Sequence, residues 1–281
     1  MTCYTSALST AAYASAASHS PSTAAVRLFS LKSIANNINN GNNGPVYESA
    51  TSKIVHLVRH AEGTHNLNEA ESKLPPHFDA NLTPRGVEQC GQLAKHTKTL
   101  DVGAVMVSPM TRCLETARLS FPHLYETSSS SSNNDDVPFI AHEEWRETVN
   151  FLCDSRRPKQ ILQQNYPRVS FDRVSHDHDP IWSHYETVFG SYDTHTSKRE
   201  SDDAISLYNR AHSAWKVLLS RPEKHLALVG HSAFFMHMFT PLFAELEGVV
   251  EYGDDGVREL MTSKRFDNCE LRSLVVDVPN T

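Results

Sequence analysis

The chain has 281 residues, 39% of them hydrophobic and 21% charged, with a formal net charge of −7 and an isoelectric point near 6.1. That balance excludes a general affinity for nucleic acid and gives no diffuse attraction for anions, so an anionic ligand would need positive charge gathered at one place. The apolar runs are too short to span a bilayer, which predicts a soluble protein with no membrane partner.

The first stretch, Met1 to Ser52, differs in composition from the rest of the chain. It is rich in Ala, Ser, Thr and Asn, has Glu48 as its one acid, and ends in the polar run NNINNGNNGP. Such a segment offers too little apolar surface to offset the entropy of ordering it, so a disordered extension is expected over 1–52. Few acids, abundant Ser and Ala, and the segment RLFSLK also suit an organellar transit peptide. An untargeted terminus would read the same way, so the location is cytoplasmic or, with a transit peptide, organellar. Residues 53–281 remain as one domain of ordinary size. The five cysteines (Cys3, Cys90, Cys113, Cys153, Cys269) are scattered without a CxxC pair, as expected of reduced thiols inside a cell.

Ile54 to Asn66 reads IVHLVRHAEGTHN. Its β-branched, apolar start predicts a buried strand that delivers Arg59 and His60 at its C-terminal end, where ligands sit in open α/β sheets. In the next segment Thr83 before Pro84 marks a helix start, and Val87, Cys90, Leu93 and Ala94 are expected on its buried face. VGAVMVSPMTRCLETARLSF gives a strand over Ala104 to Val107, a turn at Ser108 and Pro109, and a helix from Met110. Arg112 falls in the first turn of that helix, against its local electrostatic preference, which points to an anion site. TSSSSSNNDD is a surface loop.

A short strand then leads into Glu143, Glu144 and Glu147 beside Arg146, Arg156, Arg157 and Lys159. The last three could reach a second anionic group of a ligand or lie on the surface. From Arg168 to Arg199 no periodicity is sustained, which predicts an irregular insertion, about 152–200 with its approach, capping the site. His176, His178 and His184 lie among aspartates there, but their spacing fits no closed metal-ligand set, and a polar loop is expected. An amphipathic helix over Ala204 to Ser220 comes next, with Tyr208, Ala211, Trp215 and Leu218 at helical spacing. The strand HLALVG ends at Gly230 and delivers His231 into a further helix, and a last strand runs from Leu271 to Val278.

The strings LVRHAEGTHN, LTPRGVEQ, SPMTRCLETA, WRET and LVGHS, in this order, resemble the histidine phosphatase superfamily, in its phosphoglycerate mutase-like branch with an RHG-type motif. Closest in pattern are the broad-range, mutase-like phosphatases of fungi and plants. The resemblance implies an α/β fold of three layers, a mostly parallel central sheet with helices on both faces and a cap insertion. It implies His60 as a nucleophile that becomes phosphorylated, Glu147 (second choice Glu144) as proton donor, and His231 as partner of His60. Arg59 and Arg112 would grip the phosphate; Asn66 would add a hydrogen bond or steady the turn. No metal or other cofactor is implied, and the partner would be a small phosphorylated metabolite. The activity implied is hydrolysis of small phosphomonoesters, with a phosphoglycerate mutase-type transfer or a non-catalytic phospho-ligand-binding protein as alternatives. Ala61 stands where the family has glycine; its methyl must fit a negative φ or press on the phosphate pocket.

Overall fold

The computed structural model describes residues 26–28, 52–68, 74–126, 136–245, 251–252, 259 and 263–277. Most of the expected disordered extension, and most of the serine-rich loop, therefore lie outside the described residues.

The β-branched runs of the sequence form one eight-stranded sheet. Its strands are β1 (Val26–Leu28), β2 (Ser52–Arg59), β3 (Ala104–Val107), β4 (Phe139–His142), β5 (Val169–Arg173), β6 (His225–Gly230), β7 (Glu251–Tyr252) and β8 (Leu271–Asp277), in the spatial order β5-β4-β3-β6-β2-β8-β1-β7. The five from β5 to β2 run parallel, and β8 lies antiparallel on β2. Helices α1 (Pro84–Thr97), α2 (Thr111–Ser120), α3 (Pro122–Tyr125), α4 (Lys159–Asn165), α5 (Pro180–Phe189), α6 (Ala204–Leu219) and α7 (Ser232–Glu245), with several short 3-10 turns, complete the described elements. This is the expected three-layer α/β architecture.

Both sheet faces are covered, and the strand periodicity shows how. Val55 and Leu57 of β2 and Leu226 and Leu228 of β6 point toward Trp215 of α6 and Phe234 and Phe235 of α7. Val58, Ala227 and Val229 point the opposite way, toward Leu114 and Ala117 of α2 and Leu162 of α4. Alternation on a two-sided core explains why these strands read as nearly continuous apolar runs.

Two sequence expectations need correction. On α1 the buried residues are Gly86, Cys90, Ala94 and Thr97, while Val87 is 48% exposed; the helix turns its glycine, not its valine, to the protein. The stretch from Arg168 to Arg199 is less irregular than expected, since it contains β5 and α5. Asp179 caps α5 by accepting from the Trp182 N–H at 2.9 Å, and Pro180 takes the first helical position, which is the same pairing that starts α1. Within this stretch the backbone carbonyls of His176 and His178 accept from Arg156 at 2.7 and 3.0 Å.

Candidate active site

The parallel register places the ends of β2 and β6 side by side, with Arg59 opposite Gly230. His60 and His231 come directly after them, and their rings meet edge to face with centroids 5.1 Å apart. A cleft of about 590 Å³ opens here, lined among others by Arg59, His60, Asn66, Arg112 and Glu147. A larger hollow of about 710 Å³ lies elsewhere, beside Thr111 and Tyr166, and has no histidine in its walls.

The His60 Nδ1 lies 2.7 Å from the Ala61 carbonyl oxygen. A carbonyl only accepts, so Nδ1 carries the hydrogen and Nε2 keeps its lone pair. Burial, then the charges of Arg112, His65 and Arg59, hold the His60 pKa well below its ordinary value, so the ring is neutral at physiological pH. Ala61 is buried without strain: its N–H donates to Thr116 Oγ1 at 3.0 Å, and among the described residues the positive-φ positions other than glycine are Asp79 and Cys269. The methyl thus fits a negative φ.

The turn after β2 is held from below by α1. Thr83 Oγ1 accepts from the Gly86 N–H at 3.0 Å, capping the helix, and donates to Glu62 Oε1 at 2.7 Å. Gln89 Oε1 accepts from the Glu62 N–H at 2.8 Å. A Cβ on Gly86 would stand 2.2 Å from the Glu62 carbonyl oxygen, so only glycine permits this approach.

Arg59 Nη1 donates to the Phe266 carbonyl at 2.7 Å. Arg112, 1% exposed, gives Nη1 to the Cys153 carbonyl at 2.7 Å and meets Asp154 Oδ1 with Nη2 at 3.3 Å. In both residues Nε is buried with no acceptor. Asp154 is a site residue the sequence reading missed; its Oδ2 also accepts from the Asn150 and Phe151 N–H groups at 3.1 and 3.0 Å. The cleft carries two more cations, Lys198 and Arg265, so positive charge is gathered locally in an acidic protein. Neither gave a signal, because both sit in segments without periodicity.

Glu147 lies on the loop after β4, against the N-terminus of α7. Its Oε1 accepts from the Thr148 and Phe234 N–H groups, both at 2.9 Å. Burial first, and the Asp154 charge, raise its pKa against these hydrogen bonds and Arg112. Protein surrounds the carboxyl, yet it remains in contact with the cleft. Glu144 does not line the cleft: it is paired with His142 Nδ1, and that partner helps lower its pKa against burial.

His231 is fully buried and lies behind His60, with Nε2 2.8 Å from Ser108 Oγ. Asn66 steadies the turn, since its Oδ1 accepts from the Gly63 N–H at 3.0 Å. Arg156, Arg157 and Lys159 do not line this cleft and are engaged with protein partners. Arg156 pairs with Glu143 at 2.8 Å, Arg157 with Asp79 at 2.9 Å, and Lys159 donates to the Val174 carbonyl at 2.8 Å. Two histidines on adjoining parallel strand ends, two arginines with unused donors and a carboxyl with a raised pKa make an anion site able to transfer protons.

Residues 55–247 match the family described as Histidine phosphatase superfamily (branch 1). The chain belongs to that superfamily. It is 31% identical over 250 residues to a phosphoglycerate mutase-like protein of Arabidopsis thaliana, covering 80% of this chain and 84% of the relative. A second Arabidopsis protein of that description is 29% identical over 276 residues, covering 80% and 74%. Among solved structures, ecdysone phosphate phosphatase from Bombix mori in complex with tungstate aligns at 14% identity with a TM-score of 0.46, covering 81% of this chain and 92% of that one. Among the described residues of this superfamily member, no helix is long and apolar enough to cross a membrane.

Proposed function

We propose that this histidine phosphatase superfamily member hydrolyses small phosphomonoesters through a phosphohistidine at His60. The observation that carries the reading is the pairing of a neutral His60, with Nε2 free, and the two unpartnered Nε atoms of Arg59 and Arg112. Buried donors without acceptors are costly in a folded protein, and phosphate oxygens would satisfy them. Nε2 attacks phosphorus while the bond to the leaving oxygen breaks, and Glu147 gives that oxygen a proton. The resulting carboxylate then takes a proton from water, which attacks the phosphohistidine and releases phosphate. His231, fully buried and bonded to Ser108, lies against the His60 ring and backs it. Cys153, on the cleft wall, is no rival nucleophile: burial, and then Asp154, raise its thiol pKa, so it stays protonated.

The test is acid-labile labelling of the protein by a radiolabelled phosphomonoester. Label should appear in the wild type and be absent from His60→Ala; full turnover by that variant would end the proposal. Assaying phosphate release beside conversion of 3- to 2-phosphoglycerate separates hydrolysis from a mutase reaction.

A further inference from the structure

A second pocket, of about 240 Å³, lies in the cap insertion and shares Asn150 and Phe151 with the catalytic cleft. Leu152, Trp182 and Tyr192 give it a largely apolar wall. This wall is built, not incidental, because Val149, Leu152, Trp182 and Tyr185 form a core cluster of their own.

The pocket also holds Arg199, which is 0% exposed. Other buried arginines have carboxylate partners: Arg112 has Asp154, Arg146 has Asp179, Arg156 has Glu143 and Arg272 has Glu270. Among the described residues no carboxylate forms an ion pair with Arg199, and Glu186 acts on it only as a more distant charge. Its Nη2 donates to the Gly190 carbonyl at 2.9 Å, its guanidinium stacks 4.7 Å from the Trp182 ring centroid, and its Nη1 has no acceptor at all. A desolvated cation with an unused donor is unfavourable unless something completes it. Asp193 is the one acid on the pocket wall, and it is exposed at the rim.

We propose that this pocket receives the alcohol portion of the phosphomonoester, an elongated, mainly apolar group with a planar ring that ends in a carboxylate bound by Arg199. The phosphate would stay between Arg59 and Arg112 while the ring passes Phe151 and stacks beside Trp182. The assignment rests on the phosphatase reading, and it excludes three-carbon phosphates as the best substrates, because they would leave the pocket unfilled.

Phosphonates, which the enzyme cannot hydrolyse, test the pocket by calorimetry on the full chain. Phenylbutylphosphonate should bind about tenfold tighter than methylphosphonate, by burying a ring. Its para-carboxy derivative should gain about tenfold again from Arg199. Arg199→Met should erase the second gain and keep the first. Thr196→Trp, made at an exposed position on the pocket wall, should erase both by filling the space. Equal affinities in the wild type, or gains that survive Thr196→Trp, overturn the proposal. Graded binding without phosphate release from the matching esters would keep the pocket and remove the phosphatase reading; hydrolysis of phenyl phosphate with a flat binding series would do the reverse.

Discussion

Glu147 stands under opposing influences, and their balance sets its chemistry. Burial and Asp154 favour the neutral acid, whereas the Thr148 amide, Arg112 and the Phe234 amide at the start of α7 favour the carboxylate; the first pair wins and the pKa is raised. A raised pKa keeps the donor protonated to higher pH, so turnover of alkyl phosphates should fall as pH rises through it. In Glu147→Gln that alkaline limb should vanish and turnover should drop by about 10² to 10⁴. An aryl phosphate, whose leaving group needs no proton, should lose much less. Rate profiles of both substrates against pH check this; equal losses would remove Glu147 from the donor role. The sequence brought Arg59, His60, Arg112 and His231 to notice because each comes at the end of an apolar strand or opens a helix, whereas Glu147 was picked out only by the resemblance of WRET to the superfamily's motif. It could not assign the arginines after Glu147, since the partners that occupy them, Glu143 and Asp79, lie 13 and 78 residues away. Asp154 escaped for the same reason, being meaningful only once Arg112 is beside it.

At the scale of elements, the site depends on how closely α1 approaches the turn after β2. Gly86→Ala would drive a methyl into the Glu62 carbonyl, two residues from His60. Overpacking of this kind costs about 1–3 kcal/mol, and the shifted turn should lower kcat/KM as well. Gly91, on the same helix, has nothing within 4 Å of its Cβ position. Gly91→Ala should therefore stabilise the protein by about 0.5–1 kcal/mol and leave kcat/KM unchanged. Thermal melts and steady-state rates on the two variants separate a contact effect from a helix-propensity effect. The start of α1 was legible because Thr83 and Pro84 act through the chain itself. The start of α5 carried the same signal in Asp179 and Pro180, but it was hidden in a segment dense with histidine and aspartate. On the buried face of α1 Cys90 and Ala94 were placed as the structure has them, and Val87 was misplaced because hydrophobicity points to it while the close approach demands Gly86.

For the whole molecule, folding commits several histidines to the neutral state. Burial, then the neighbouring His225 and His96, lower the His56 pKa to about 4; burial, then Arg112, lower that of His65 to about 2. The pKa values of His60 and His231 are also held well below normal, again chiefly by burial. In the unfolded chain these rings titrate near the ordinary value of about 6.5, so below it the unfolded state binds more protons. Stability is therefore full above that pH and is lost as pH falls toward the folded values. His56 alone, bonded through Nδ1 to Ser273 at 2.7 Å, should account for about 3 kcal/mol at pH 4. The raised carboxyl of Glu147 acts in the opposite sense, since its protonation relieves a buried charge. With several lowered histidines against one raised acid, the net slope should be a steep loss of Tm between about pH 6.5 and 4. His56→Gln should start from a lower Tm at neutral pH and show a shallower acid slope. If its slope matches that of the wild type, the proton uptake on unfolding comes from the other groups whose pKa values folding lowers, His60, His65 and His231 among them.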